Sequence, residues 1–256
     1  MLRRIAVFVY GVKSYVLFLG AFLYAIGFLG NFGVPKAIDS GRDVSIAVAI
    51  AIDVGLLGLF AIQHSVMARQ WFKRAWTRAV PAEAERSTYV LFSSAALFLL
   101  FWKWQPVGGT IWNISSVWGK VAVYGLYAAG WLIVLLATFL INHFDLFGLR
   151  QVWLYLRGVP YTPLKFRTPW LYRVVRHPLY LGWLLVFWSA PTMTIAHLIF
   201  ALATTGYILI AIQLEERDLS RLHPEYKMYR REVPMILPIG LPNGRSKTKV
   251  SQEQAA

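Results

Sequence analysis

The sequence predicts an all-α integral membrane protein, and three observations carry that expectation. Hydrophobic residues fill 57% of the 256 positions, aromatic residues reach 16% and the mean hydropathy is +0.52, well above the apolar share of a soluble domain. The apolar residues gather in runs near the ~17 to 25 residues a helix needs to cross a bilayer. The basic residues lie between these runs. A net charge of +14 and a pI near 10.1 would otherwise point to nucleic acid. Confined to loops, the charge reads as a topology signal, and no nucleic-acid partner is expected. Cysteine is absent, which removes disulfides, thiolate metal sites and a cysteine nucleophile.

The first span runs from Ile5 to Leu29. Arg3 and Arg4 resemble the start of a signal peptide, but the apolar stretch is too long and no small-residue cleavage pattern follows, so it is expected to stay as the first helix. Further spans run from Val44 to Met67, Tyr89 to Trp102 and Trp118 to Ile141. The fifth region, Leu179 to Leu214, is too long for one crossing and holds Ser189-Ala190-Pro191-Thr192 near its middle, where proline ends a helix. It is expected to fold as a hairpin of two short limbs. At about 1.5 Å per residue, limbs of ~17 residues barely span, so a partly re-entrant hairpin is the alternative. Trp102, Trp104, Trp112, Trp118, Trp153 and Trp170 fall near span ends, where an aromatic belt forms.

Lysine and arginine fix the orientation. Arg3, Arg4 and Lys13 open the chain. Arg69, Lys73, Arg74, Arg78 and Arg86 separate spans two and three, Arg150, Arg157, Lys165, Arg167, Arg173 and Arg176 separate spans four and five, and the tail holds eight more. Only Lys36, Arg42, Lys103 and Lys120 fall on the other side. By the positive-inside rule both termini are expected in the cytosol, with about six membrane-crossing helices, the last two forming the C-terminal hairpin. The chain reads as a single membrane domain: four transmembrane helices over 1–142, a cytosolic loop over 143–177, the hairpin over 178–214 and a cytosolic tail over 215–256. The expected location is the cytoplasmic membrane, with the active site facing the cytosol.

The hairpin carries the chemistry. Arg176-His177-Pro178-Leu179-Tyr180-Leu181-Gly182 opens it and Glu215-Glu216-Arg217-Asp218-Leu219 closes it, so a fold-back returns both charged ends to one face. Pro178 suits a helix's first turn. The free N–H groups after it, with Arg176 and His177, favour an anionic ligand group. Glu215 and Glu216 can accept hydrogen bonds from ribose hydroxyls or face a cation. A ligand with a carboxylate, a sugar and a positive centre fits, and S-adenosylmethionine is one. The other reading is that these charges only mark the membrane interface, and the residues alone leave both open.

These segments, with His223-Pro224-Glu225-Tyr226-Lys227-Met228-Tyr229, resemble the C-terminal signature of the isoprenylcysteine carboxyl methyltransferase superfamily over roughly residues 172–238. Upstream, Phe60-Ala61-Ile62-Gln63-His64-Ser65-Val66-Met67-Ala68-Arg69, Glu85-Arg86-Ser87-Thr88-Tyr89-Val90 and Asn142-His143-Phe144-Asp145-Leu146-Phe147-Gly148-Leu149-Arg150-Gln151 resemble its NnrU-like branch. The resemblance implies an S-adenosylmethionine-dependent methyltransferase whose hairpin and tail bind the cofactor. Arg176, His177, Pro178, Tyr180, Gly182, Glu215 and Glu216 fall on the cofactor motif, and Tyr226 and Tyr229 help close the pocket. The superfamily's Phe-Gly before the tyrosine pair is replaced here by Arg221-Leu222-His223-Pro224. The implied acceptor is a small volatile thiol, with methanethiol giving dimethyl sulfide by in-line attack of the thiolate. Alternatives are methylation of a prenylcysteine carboxylate or an amino-lipid, an NADPH-dependent reductase with the same hairpin, and a non-catalytic protein of nitrogen-oxide metabolism.

A thiol near the ordinary cysteine value of about 8.5 is mostly protonated at pH 7, and the thiolate is the attacking species. His64 and His143 lie near the cytosolic ends of spans two and four, and either is a candidate base. Each also reads as an interfacial histidine bonded to a neighbour. Asp145 either orients His143 or pairs with Arg150. Asp53, inside an apolar span, is expected to face the bundle interior. It lines a cavity with His64, about 16 Å away on the same helix face, or plays a structural part. No ligand set at metal spacing appears, so no metal is expected.

Overall fold

The computed structural model describes residues 1–41 and 44–239; Arg42 and the tail from residue 240 onward, with its Arg245, Lys247 and Lys249, lie outside the described residues. Ten α-helices, two short 3-10 helices and one two-stranded ribbon are present among the described residues. Helix α1 covers Leu2–Gly30, α2 Ile46–Ala68, α3 Gln70–Trp76, α4 Glu85–Lys103 and α5 Val117–Ile141. A short α6, His143–Leu146, and α7, Leu149–Arg157, precede the hairpin of α8, Pro178–Trp188, and α9, Ile195–Leu222; α10, Tyr226–Glu232, follows. Helices α1, α2, α5 and α9 are long and apolar enough to cross a membrane. The protein is a helical membrane protein, and the four upstream spans read from hydropathy fall on α1, α2, α4 and α5.

The hairpin departs from two short, equal limbs. Pro191 breaks it as expected, but α8 has 11 residues and α9 has 28. At about 1.5 Å per residue, α8 reaches only ~16 Å, about half a hydrocarbon core, whereas α9 reaches ~42 Å and overshoots one. The reason lies at the tip. Strand β1, Thr110–Asn113, from the loop after α4, pairs antiparallel with β2, Thr192–Thr194, directly after the break. Trp112 Nε1 donates to Ala190 O at 3.0 Å, and His197, fully buried on α9, lies 3.1 Å from Phe187 O at the end of α8. These contacts hold the tip where the first limb would otherwise continue.

The remaining helices pack around this pair. Helix α8 lies against α5, α4 against both α1 and α2, and α9 against α2. The α5–α8 crossing is backbone to backbone: a Cβ on Gly182 would stand 2.8 Å from Gly130 O and 2.9 Å from Val134 N. Only glycine permits that approach, so Gly182 sets how deeply α8 seats. The core contains Phe28, Leu100, Trp104, Val186, Phe200 and Ile212. Trp102, Trp118, Trp153 and Trp170 are exposed, as a belt requires, but Trp104 is fully buried, edge-on to Phe28 and Phe200.

Asp53 has a structural partner. It is fully buried and its Oδ1 accepts from Gln105 N at 2.8 Å, holding the chain as it leaves α4. Lys36, which interacts with Asp53 electrostatically, donates to Trp102 O at 2.7 Å in the same region. Asp53 therefore belongs with the α4 exit rather than with His64.

Candidate functional site

The two charged ends of the hairpin meet. Pro178 opens α8 with His177 as its cap, which puts Arg176 and His177 at the mouth, while Glu215 and Glu216 sit near the end of α9. Arg176 Nε donates to Glu216 Oε1 at 2.7 Å, and His177 Nε2 lies 3.1 Å from the same oxygen. Arg230 of α10 holds the second oxygen, Nε to Oε2 at 3.0 Å. Arg176 also donates to Arg230 O at 2.7 Å and to Val233 O. Backbone bonds from Arg176 N to Pro234 O and from His177 N to Met235 O stitch the tail to the mouth.

The twin glutamates therefore do different things. Glu216 is 2% exposed and compensated by two guanidinium groups and an imidazole, an arrangement a buried carboxylate needs. Glu215, one helical step of about 100° away, turns outward: its side chain is 46% exposed, its Oε2 accepts from Tyr180 O–H at 3.0 Å, and His177 Nδ1 lies 3.9 Å off. Glu215 keeps accepting capacity for a ligand; Arg176 is directed wholly at Glu216 and tail carbonyls.

Beside this clamp lies an aromatic cluster that sequence reasoning did not find in full. Phe166 stacks on His223 at 5.4 Å between ring centres and stands edge-on to Tyr226 and Tyr229, each at 5.8 Å. Phe166 carried no signal of its own, lying in a basic loop. Tyr229 donates to Tyr172 O, and burial pushes its hydroxyl pKa up to about 12. Tyr226 is 2% exposed, yet its hydroxyl has no partner among the described residues, a costly state for a buried polar group. Burial raises its pKa too, so the unpartnered group is a neutral phenol able to donate.

His64 and His143 sit in separate surroundings. His143 is 6% exposed, with the Tyr15 hydroxyl oxygen Oη at 2.8 Å from Nε2 and Thr138 Oγ1 at 2.9 Å from Nδ1. Thr138 already donates its one hydrogen to Leu135 O at 2.7 Å, so it accepts from Nδ1, and Nε2 of the neutral ring accepts from Tyr15. Burial lowers the His143 pKa and keeps the ring neutral. This closed chain fastens α6 to α1 and α5. Asp145 does not orient it: Asp145 pairs with Arg150 at 2.8 Å and accepts from Tyr161 at 3.3 Å.

His64 is ringed by groups with capacity left. Tyr89 Oη is 2.7 Å from Nε2 and 3.1 Å from Nδ1, Ser93 Oγ is 3.2 Å from Nδ1, and Phe60 stacks on the ring at 5.1 Å. Tyr207 of α9 stands edge-on at 6.4 Å and bonds Ser65 at 3.0 Å. The missed members here, Tyr89 and Tyr207, had a readable signal: Tyr89 and Ser93 lie four apart in an apolar span, on one helix face.

The fold and site are those of a helical membrane protein whose broken hairpin closes on a buried carboxylate, with an outward carboxylate and an aromatic cluster beside it. The chain belongs to the methanethiol S-methyltransferase family. It is 60% identical over 238 residues to the methanethiol S-methyltransferase of Crocosphaera subtropica, covering 93% of each chain. It is 52% identical over 238 residues to that of Mycobacterium tuberculosis, covering 93% of this chain and 98% of the other. At greater distance it is 33% identical over 213 residues to nurim of Sus scrofa, covering 78% of this chain and 80% of that one. No family model matches the chain, and no solved structure matches it.

Proposed function

We propose that the protein methylates methanethiol to dimethyl sulfide, with S-adenosylmethionine as donor, at the cytosolic face of the cytoplasmic membrane. The observation that carries this reading is the 60% identity, over nearly the whole of both chains, to a protein named for that reaction. S-adenosylmethionine, when bound, supplies an electrophilic methyl group on a sulfonium.

The residues present fit that cofactor. Glu215 offers carboxylate oxygens to sugar hydroxyls or a cation. The unpartnered Tyr226 hydroxyl offers a buried donor, and Phe166, Tyr229 and His223 supply aromatic surface beside it. Arg176, His177 and Glu216 hold the hairpin mouth to the tail, Pro178 starts α8 so that Tyr180 reaches Glu215, and Gly182 seats α8 on α5. His64 takes the acceptor's proton; its partly buried ring sits between Phe60, Tyr89 and Tyr207. His143 and Asp145 hold the loop that covers this face.

The topology that fits this reading has six passages, with α4 as the third, and α8 completed by the turn and β2 as the fifth. Both termini then face the cytosol, as the basic loops require. The small apolar substrate and product can move through lipid.

The test is acceptor choice. Purified enzyme with S-adenosylmethionine is given methanethiol, a prenylcysteine or an amino-lipid, and separately NADPH, with products read by mass spectrometry. Turnover of methanethiol alone supports the proposal. Turnover of another acceptor, or NADPH oxidation without methyl transfer, overturns it.

A further inference from the structure

Both ring nitrogens of His64 lie within hydrogen-bond reach of hydroxyl groups: Tyr89 Oη is 2.7 Å from Nε2 and 3.1 Å from Nδ1, and Ser93 Oγ is 3.2 Å from Nδ1. A thiol that approaches His64 therefore meets a hydroxyl group at either nitrogen. Base chemistry at His64 must therefore pass through one of the two hydroxyls, and three observations select Tyr89. Its contact is the shorter. It stands one turn nearer the start of α4, on the side of the basic loops and the hairpin mouth. Arg86, one turn earlier on α4, lies over the Tyr89 ring with its guanidinium carbon 5.0 Å from the centre, so a positive charge lies over the ring that carries this hydroxyl.

The surroundings place this oxygen beside the proposed cofactor site. Tyr207, facing His64 from α9, precedes Glu215 by eight residues, about 12 Å along the helix, and Tyr180 reaches Glu215 from α8 at 3.0 Å. Helix α2 packs against α9 on the same side through Ser65–Tyr207 and through Arg69–Asp218 at 3.5 Å. The titratable and charged groups around His64 are thus Tyr89 and Arg86 from α4, Tyr207 from α9 and Arg69 from α2.

We infer that Tyr89 is the residue that meets the acceptor thiol, relaying its proton to His64. The inference rests on the thiol methyltransferase reading and extends it. In the relay His64 donates Nδ1–H to Ser93 and accepts at Nε2. The thiol S–H bond breaks and its proton joins the Tyr89 oxygen as the tyrosine's own proton passes to Nε2. The electron pair stays on the thiol sulfur, which bonds the methyl carbon; the sulfonium C–S bond breaks and its pair returns to the donor sulfur. The imidazolium later releases its proton to solvent.

The test compares wild type with Tyr89→Phe, which keeps the ring, its packing and the Arg86 contact. Two thiols serve as acceptors: methanethiol, and 2,2,2-trifluoroethanethiol, a small thiol that ionises more readily. Folding is checked by hydrodynamic size and thermal unfolding. The relay predicts a kcat for methanethiol lower by about 10²- to 10⁴-fold, recovery of most activity with the acidic thiol, and unchanged S-adenosylmethionine affinity. It also predicts that the histidine ¹⁵N spectrum, with His64 assigned through His64→Gln, shows the Nδ1–H form in wild type and a change at Nε2 in Tyr89→Phe. Retained activity, an equal loss with both thiols, or a His64 spectrum indifferent to the substitution each overturns the relay. If wild type methylates neither thiol, the function reading fails instead.

Discussion

Arg176 and Glu216, forty positions apart in the chain, meet at 2.7 Å and join the start of α8 to the end of α9. With Arg230 on the other carboxylate oxygen, this contact locks hairpin and tail into one unit. Its neighbour Glu215 is left facing outward. One glutamate holds the hairpin mouth together, and the other is the one proposed to meet the ligand.

That division gives opposite outcomes for two substitutions. Glu216→Ala strands Arg176 and Arg230 without their counter-charge, and the loss of a buried partner costs about 3–5 kcal/mol, read as a fall in thermal stability. Glu215→Ala removes a half-exposed group, so stability holds within roughly 0.5 kcal/mol. Its S-adenosylmethionine affinity, measured by calorimetry, falls by about tenfold or more, the size of one charge-assisted hydrogen bond. Equal stability losses for both variants would contradict the division.

The Tyr226 hydroxyl predicts a separation of stability from binding. Tyr226→Phe removes a buried donor that has no partner among the described residues, so unfolding temperature stays level or rises. Cofactor affinity falls. A stability loss with affinity intact would show that the hydroxyl serves the fold alone.

Gly182→Ala tests the seating of α8. The added carbon would stand 2.8 Å from Gly130 O and must push the helices apart, at a cost of about 1–3 kcal/mol for overpacking. Lower thermal stability is expected even though alanine is the better helix former. A variant as stable as wild type would mean the crossing is looser than it stands here.

His143 predicts a pH dependence. Its folded pKa lies below the ordinary histidine value because burial disfavours the charged ring. The unfolded chain therefore binds a proton first as pH falls, and the group costs stability from about pH 6.5 downward. The cost grows until the folded pKa is reached and is constant below it. Thermal unfolding from pH 8 to 5 should fall more steeply for wild type than for His143→Gln. Parallel curves would remove His143 as the cause.

Much of this architecture is legible in the sequence because hydropathy and charge act locally. The run from Val44 to Met67 becomes α2 within two residues, and Pro191 breaks the hairpin where its missing N–H requires. The unequal limbs are not legible: apolar composition continues across the break, and α8 stops at Trp188 because β2 pairs with a strand some 80 positions earlier. The meeting of Arg176 and His177 with the glutamates follows from the fold-back alone. The unlike roles of Glu215 and Glu216 do not, since adjacent acids differ only by which face Arg230 covers. Phe166 was silent for a similar reason, since its neighbours His223 and Tyr226 reach it only through the tail. For Asp53 the sequence leaves a cavity shared with His64 and a structural part both open, because helical phase aligns it with His64, while its partner Gln105 N comes from another helix's end.

The central claim is that the outward carboxylate of the hairpin holds a methyl donor whose methyl group goes to a small thiol. The direct measurement is headspace mass spectrometry with methyl-trideuterated S-adenosylmethionine and methanethiol, on wild type and Glu215→Ala at sub-saturating donor. Trideuterated dimethyl sulfide from wild type, with a rate reduced by about tenfold or more in the variant, is the predicted result. Unlabelled or absent dimethyl sulfide from wild type, or equal rates in the two proteins, would contradict it.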